Sequence, residues 1–161
     1  MPKIPKVIHF CWFGGAEYPD LIKNCMASWE KYLPEYEIVK WSEENFDVNC
    51  NQYVKEAYEN KKWAFITDYV RLYALYNYGG VYLDSDVEVL KPIDEFLDNE
   101  AFSGFESRDT VPTAIMASVK GQRFMGELLH DYDNRKLILE DGSIDMTANT
   151  VVITEACLKH G

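Results

Sequence analysis

Residues 63–90, WAFITDYVRLYALYNYGGVYLDSDVEVL, change hydrophobic period part-way along, and that change limits the folds open to the chain. In the first part Ala64, Asp68, Arg71, Leu72 and Leu75 recur at i, i+3 and i+4, the spacing of one helix face. Gly79 and Gly80 supply a left-handed stop. The part that follows, VYLDSDVEVL, reads as a strand closed by Pro92. A helix that runs straight into a buried strand is a building block of α/β folds.

The rest of the chain repeats the alternation. KVIHFCWF, bounded by Pro5 and Gly14, reads as a buried strand. Pro19 opens a helix with Leu21, Ile22, Cys25, Met26 and Trp29 on one face, ending before Pro34. YEIVKW is a second strand, and Asn49 or Asn51 caps a short helix that runs to about Lys62. AFSGFE and TAIMAS are candidate strands. GQRFMGELLHDYDN is a helix with Phe124, Leu128 and Leu129 inward, and TANTVVITEACLKHG starts a final helix. This order predicts an α/β sandwich with a largely parallel sheet, and 161 residues suit one domain over 1–161. Ligands of such sheets bind beyond the carboxyl ends of strands, which directs attention to the end of the first strand and to VYLDSD.

Charge narrows the partners. The formal net charge is -11, and no Lys/Arg cluster is longer than the adjacent Lys61 and Lys62. A nucleic-acid binder needs a basic face, as does electrostatic docking on anionic lipid, and this chain offers neither. The four cysteines form no C-x-x-C pair and the three histidines are scattered, which argues against zinc and for free buried thiols in a reducing compartment. The apolar run near the N-terminus is too short for a transmembrane span and lacks the pattern of a signal peptide. The expected location is cytoplasmic, with room for peripheral contact with the inner membrane. Aromatic residues reach 14%, and packing is the default role of each.

Asp84 and Asp86 carry the first chemical signal. The Asp-x-Asp spacing alone is weak, because an aspartate-rich chain produces it by chance; Asp131-Tyr132-Asp133 repeats it at what reads as a solvated helix end. Asp84 and Asp86 instead follow a core strand, where two carboxylates are costly unless solvated, paired or bound to a cation. On an extended chain, residues i and i+2 point to one side. Two hard oxygen donors without nearby His or Cys favour Mg²⁺ or Mn²⁺. Asp68 and Arg71, three apart on the preceding helix, share a face with Leu72 and Leu75 that points to the core. A carboxylate there can accept sugar hydroxyls, and a guanidinium can donate to hydroxyl or phosphate oxygens.

The combined pattern is Asp68-x-x-Arg71, Tyr73-Ala74-Leu75, then Gly79-Gly80-Val81-Tyr82-Leu83-Asp84-x-Asp86. It closely resembles the DXD segment of glycosyltransferase family 32, which includes capsule and lipopolysaccharide sugar transferases, and the matching part of the large glucosylating toxins. IPKVIHFCWFGG is similar to the same families' first strand, P-x-x-I-H-x-x-W, and GQRFMGELL to their later G-H-P-F helix. The resemblance implies a GT-A fold, a UDP- or GDP-sugar donor, Mn²⁺ or Mg²⁺, a glycan or lipid-linked glycan acceptor, and retention of anomeric configuration. Residue by residue, Trp12 matches the aromatic that stacks on the donor base, Cys11 sits beside the base through its backbone, and Thr67 matches a small polar residue near the nucleoside. Asp68 and Arg71 match residues that hold the donor sugar. Asp84 contacts ribose and sugar, and Asp86 is the direct metal ligand, so Asp84, Asp86 and Arg71 form the catalytic set. His9 fits the pattern and has a buried structural role as its simpler explanation.

The chain departs from the family in three places. Gln122-Arg123 replaces H-P; Ala148 and Asn149 replace the Gly-Pro of a T-G-P-x-x-x-T element; and Gly161 ends the chain in a helical pattern where relatives continue into a lid. The resemblance therefore implies a domain that is C-terminally incomplete. Two other readings stand beside the transferase: a non-catalytic nucleotide-sugar-binding module, and a haloacid-dehalogenase-like phosphatase. The latter usually carries Thr or Val four residues after its first Asp, where this chain has Glu88.

Overall fold

The computed structural model describes residues 3–104, 113–145 and 149–160, and of 149–152 and 160 the backbone alone. Five strands form one sheet: β1 (Val7–Cys11), β2 (Glu37–Trp41), β3 (Gly80–Leu83), β4 (Ala101–Ser103) and β5 (Ile115–Ser118). The helices are α1 (Asp20–Tyr32), α2 (Gln52–Glu59), α3 (Trp63–Tyr78), α4 (Arg123–Asp131) and α5 (Asn149–His160). The spatial order is β2-β1-β3-β5-β4. β1 pairs in parallel with β2 and β3, and β5 runs antiparallel to β3 and β4. Four strands therefore share one direction and β5 alone is reversed. This is the mostly parallel α/β sheet that the alternation of elements predicts.

Burial explains which strand sits where. β3 is buried at every position and lies in the middle of the sheet, as a continuous apolar run requires. β2 carries Glu37 and Lys40 and lies at the edge, where charge discourages further pairing. The two-residue period sorts side chains between layers. Ile8, Phe10, Val81 and Leu83 pack with Trp29 and Leu33 on the α1 side. Cys11 and Tyr82 face the opposite core, with Tyr53 and Val54 of α2, Val70 and Leu75 of α3, and Met125 and Leu128 of α4. Asn51 caps α2, its side chain accepting from Val54 N, and Gln122 does the same for α4 at Met125 N.

The corner between α3 and β3 is tightly built. Gly79 and Gly80 have φ of 71° and 122°, and a Cβ on Gly80 would lie 2.6 Å from the Val7 carbonyl oxygen. His9, 1% exposed, closes the same corner. Its Nδ1 accepts from the Trp41 indole N–H at 3.1 Å, so the ring proton sits on Nε2, which donates to the Gly79 carbonyl at 2.9 Å. This is the buried structural histidine that the sequence allows.

Three expectations are corrected. VYLDSDVEVL is not one strand, because β3 stops at Leu83. Asp84 N still donates to Ala114 O at 2.8 Å, but Val87 N then donates back to Asp84 O at 3.0 Å, so Asp84, Ser85 and Asp86 form a turn. The chain runs back over α1, where Trp29 Nε1 donates to Val87 O at 2.8 Å and Val89 N to Ser28 Oγ at 2.9 Å. The physical reason is that β5, the partner of β3, begins at Ile115, opposite Leu83, and carboxylates favour the solvated turn over a buried ladder. The first strand likewise ends at Cys11, short of Phe13. The four thiols are unbridged, but Cys50 is exposed and Cys157 half-buried, so only Cys11 and Cys25 are the buried thiols expected. The Glu106 end of AFSGFE and Ala148 lie outside the described residues. Among the described residues no helix is long and apolar enough to cross a membrane.

Candidate active site

Arg71 is the centre of the site. Its side chain is 4% exposed, and its Nη2 lies 3.3 Å from Asp68 Oδ1 and 3.2 Å from Asp84 Oδ1. Nε donates to Thr67 O at 3.1 Å, Nη1 donates to Thr113 O, and Nη2 lies 3.3 Å from Thr67 Oγ1. The guanidinium carbon stands 4.7 Å from the Tyr82 ring centroid, within cation–π range. The helix places Asp68 and Arg71 together by their i, i+3 spacing. Asp84 reaches them because, two residues after Tyr82, it keeps the α3 side of the sheet.

Electrostatics follows from this packing. Burial opposes the charge of Arg71, yet Tyr82, Asp84 and Asp68 outweigh it and hold the group protonated. Burial pushes the Asp84 carboxyl up, and the nearby Asp86 adds to that, while Arg71 and Tyr82 pull it down. Burial also raises the Cys11 thiol to about 12, so Cys11 is a neutral partner of Tyr82 and not a nucleophile.

A cleft of about 390 Å³ opens over this cluster. Cys11, Thr67, Asp68, Arg71, Asp84 and Asp86 all line it, with Ile22, Ala64, Tyr82, Ser85 and Thr113. Trp12 is the sequence-selected residue that the structure sets apart. It lines a neighbouring cleft of about 530 Å³ with Tyr18, Lys23, Lys40 and Glu43. Its indole N–H donates to Ala16 O at 2.7 Å, and its ring meets Tyr18 edge-on at 5.0 Å. The Asp131-Tyr132-Asp133 repeat lies elsewhere. Tyr132 is buried between Tyr53 and Tyr69, and Asp133 pairs with His130 at 2.8 Å.

Two contributors escaped the sequence reading. The Thr113 carbonyl that holds Arg71 comes from 42 residues away, and nothing local marks it. The Tyr82 ring beneath Arg71 was signalled only by its place two residues before Asp84.

The donor set suits a hard divalent cation of limited protein ligation. Asp86 is exposed at the cleft and enters no hydrogen bond or ion pair among the described residues, whereas Asp84 is shared with Arg71. No group of three or more His, Cys, Asp or Glu side chains converges among the described residues. One or two carboxylates, with the remaining positions left to water and phosphate oxygens, is the usual manner of holding Mg²⁺ beside a phosphorylated substrate.

Comparison with known proteins agrees with this architecture. The chain is 29% identical over 136 residues to inositol phosphoceramide mannosyltransferase 3 of Schizosaccharomyces pombe, covering 80% of this chain and 37% of that protein. It is 31% identical over 116 residues to inositol phosphoceramide mannosyltransferase 1 of the same yeast, covering 63% of this chain and 34% of the relative. The chain thus spans about a third of the length of these curated relatives. The solved structure of PaToxG Glycosyltransferase shares the fold at a TM-score of 0.69 and 17% identity, covering 99% of this chain and 70% of that one. Residues 19–103, more than half of the 161, match the family described as glycosyltransferase sugar-binding region containing DXD motif, and the chain belongs to that family.

Proposed function

We propose that the chain transfers a sugar from a nucleoside-diphosphate-sugar to a hydroxyl of a glycan or lipid-linked glycan, with Mn²⁺ or Mg²⁺ and with retention of configuration. The observation that carries this reading is the buried Arg71 held between Asp68 and Asp84, with the exposed Asp86 beside it in one cleft. A divalent cation held by Asp86, with Asp84 assisting, would neutralise the charge that develops on the leaving diphosphate.

The chain's own residues supply position and charge. Arg71 offers a fixed cation to donor oxygens, and its ion pairs keep its geometry set before the donor arrives. Asp68 accepts from sugar hydroxyls, and Thr67, which lines the same cleft, is the small polar residue offered to the nucleoside. Cys11 lines the same cleft, and Trp12, the next residue in the chain, is the candidate base platform. Retention by double displacement needs a nucleophilic carboxylate. Among the described residues the cleft offers only Asp68 besides the Asp84–Asp86 pair, and Asp68 is paired with Arg71. A same-face route fits better. The bond from the anomeric carbon to the diphosphate breaks, the acceptor oxygen bonds on the same face, and the acceptor proton passes to the leaving phosphate oxygen.

The relatives are named for mannose transfer to inositol phosphoceramide. That supports mannose as the first donor sugar to try, and sets an inositol-containing glycolipid beside capsule or lipopolysaccharide glycans as acceptor. The test is a panel of nucleotide sugars with and without Mn²⁺, on the wild-type chain and Asp86→Ala. Mn²⁺-dependent transfer or donor hydrolysis, lost in the variant, is expected. Undiminished turnover by Asp86→Ala overturns the proposal. Stabilisation by donors without turnover identifies a binding module, and phosphate release from a generic ester identifies a phosphatase.

A further inference from the structure

We infer that Ser28 and Trp29, buried on α1, are positioning residues for the Asp86 carboxylate, acting through the chain that leaves the turn. The inference rests on the metal-dependent donor reading and adds what holds the metal ligand in place.

The chain after the turn has no ladder to hold it. Beyond the bond from Val87 N to Asp84 O, no backbone–backbone hydrogen bond involves residues 85–92 among the described residues. Side chains of α1 take that part. Trp29 Nε1 donates to Val87 O at 2.8 Å, and Ser28 Oγ accepts from Val89 N at 2.9 Å. Both polar groups of the Val87 backbone are thereby engaged, the N–H by the turn and the C=O by Trp29. Asp86 is the residue just before it, joined to Val87 by a planar peptide. A fixed Val87 therefore sets the place from which the Asp86 side chain departs, and the side chain then chooses among a few staggered rotamers.

Asp86 depends on this indirect hold. Asp84 is gripped by Arg71, whereas Asp86 has no such partner among the described residues. The anchors are themselves built in. The Trp29 ring is buried edge-on to Phe10 of β1 at 5.4 Å. Any large apolar ring would serve that packing; the indole N–H adds a bond to the residue beside Asp86. The buried Ser28 hydroxyl donates to Cys25 O, which leaves its lone pairs for Val89 N. Val87 and Val89 pack into the core on the α1 side, and the exposed Leu90 leaves it, so the anchored stretch ends where the two bonds end. The first turn of the same helix brings Ile22 to the wall of the carboxylate cleft. One helix thus carries both a cleft wall and the outgoing side of the turn.

Groups that orient a metal ligand from behind are typically worth about tenfold or more in metal affinity, and the low end is expected here because these act through backbone. Calorimetric titration of the full chain with GDP and, separately, UDP, in Mn²⁺ and in EDTA, gives the factor by which the metal tightens nucleotide binding, with no turnover needed. Each variant is titrated at a temperature where its thermal melt shows it folded. Ser28→Ala and Trp29→Phe should each cut that factor about tenfold while affinity in EDTA stays at the wild-type level, and Ser28→Thr, which keeps the hydroxyl, should restore it. Leu128→Ala, a core truncation on α4, should lower the thermal midpoint and leave the factor unchanged. Each residue is judged by its own variant, so a factor cut by one variant alone assigns the other residue to packing. A factor unchanged in both, or cut as far by Leu128→Ala, or not restored by Ser28→Thr, overturns the inference and leaves the donor reading intact. Wild-type binding that Mn²⁺ does not tighten removes the cation from the donor reading and the inference with it. Failure of both nucleotides to bind in either buffer removes the donor reading and the inference together.

Discussion

Arg71 Nη2 lies 3.2 Å from Asp84 Oδ1, and this ion pair ties the middle of α3 to the turn that follows β3. The pair is unequal. Arg71 is sealed in by the Thr67 and Thr113 carbonyls and the Tyr82 ring, while the Asp84 side chain stays 31% exposed to the cleft. A guanidinium so enclosed has little freedom to follow a ligand. The turn carrying Asp84 and Asp86 is the more adjustable half, and α3 is the frame against which it is set.

Replacing Arg71 separates charge from shape. Arg71→Ala leaves Asp68 and Asp84 facing one another without a cation, and should cost about 3 kcal/mol of unfolding free energy. Arg71→Lys restores a charge but not the fork that serves two carbonyls and two carboxylates at once. Urea unfolding should therefore show Lys recovering part of the stability lost by Ala, while donor turnover stays at least tenfold down in both. Wild-type turnover in Arg71→Lys would show that only the charge matters.

Asp86 should behave in the opposite way. It is exposed and unpaired among the described residues, and its charge raises the cost of ionising Asp84. Asp86→Asn should leave unfolding free energy within about 0.5 kcal/mol of wild type, or slightly above it. Metal-dependent turnover should nevertheless disappear. A large loss of stability in Asp86→Asn would place the residue in the framework of the turn.

How far the site was legible depends on the range of each contact. Asp68 and Arg71 could be placed on one face because helical spacing is local and regular. Asp84 and Asp86 could be placed at a strand end because an apolar run has to stop where charge begins. Their disposition on a turn could not, because β3 ends where β5 begins to pair, and that pairing joins segments more than 30 residues apart. The Thr113 carbonyl was invisible for the same reason. The separation of Trp12 from the carboxylate cleft was hidden because β1 ends at Cys11, and one residue beyond a strand end the two-residue period no longer assigns a face.

Gly80 is fixed by its neighbour. An alanine Cβ would lie 2.6 Å from Val7 O, at a φ of 122° that side chains rarely adopt. Backbone cannot swing aside as a side chain can, so Gly80→Ala should destabilise by roughly 2 kcal/mol or more. Gly142→Ala, also at positive φ but with open space around the Cβ, should cost less. Thermal melts of the two variants check the contrast, and equal losses would mean that φ alone sets the penalty.

His9 gives the fold a pH dependence of definite sign. Burial lowers its pKa below the ordinary value of 6.5, against the opposing influences of the Gly79 carbonyl and the Glu37 carboxylate. Between the lowered value and about 6.5 the unfolded chain binds a proton that the folded chain refuses. Stability from this residue is therefore complete above about 6.5, falls as the pH drops through that window, and levels off below the folded value. His9→Gln leaves a buried donor or acceptor unmatched at Trp41 or Gly79, and should cost about 1–3 kcal/mol at pH 7.5. It also removes the titrating group, so its unfolding free energy should change less than that of wild type between pH 7.5 and 5.5. Urea unfolding at several pH values in that range measures both. The same slope in wild type and His9→Gln would assign the pH dependence to other groups and leave His9 a purely geometric tie between β1 and the α3–β3 corner.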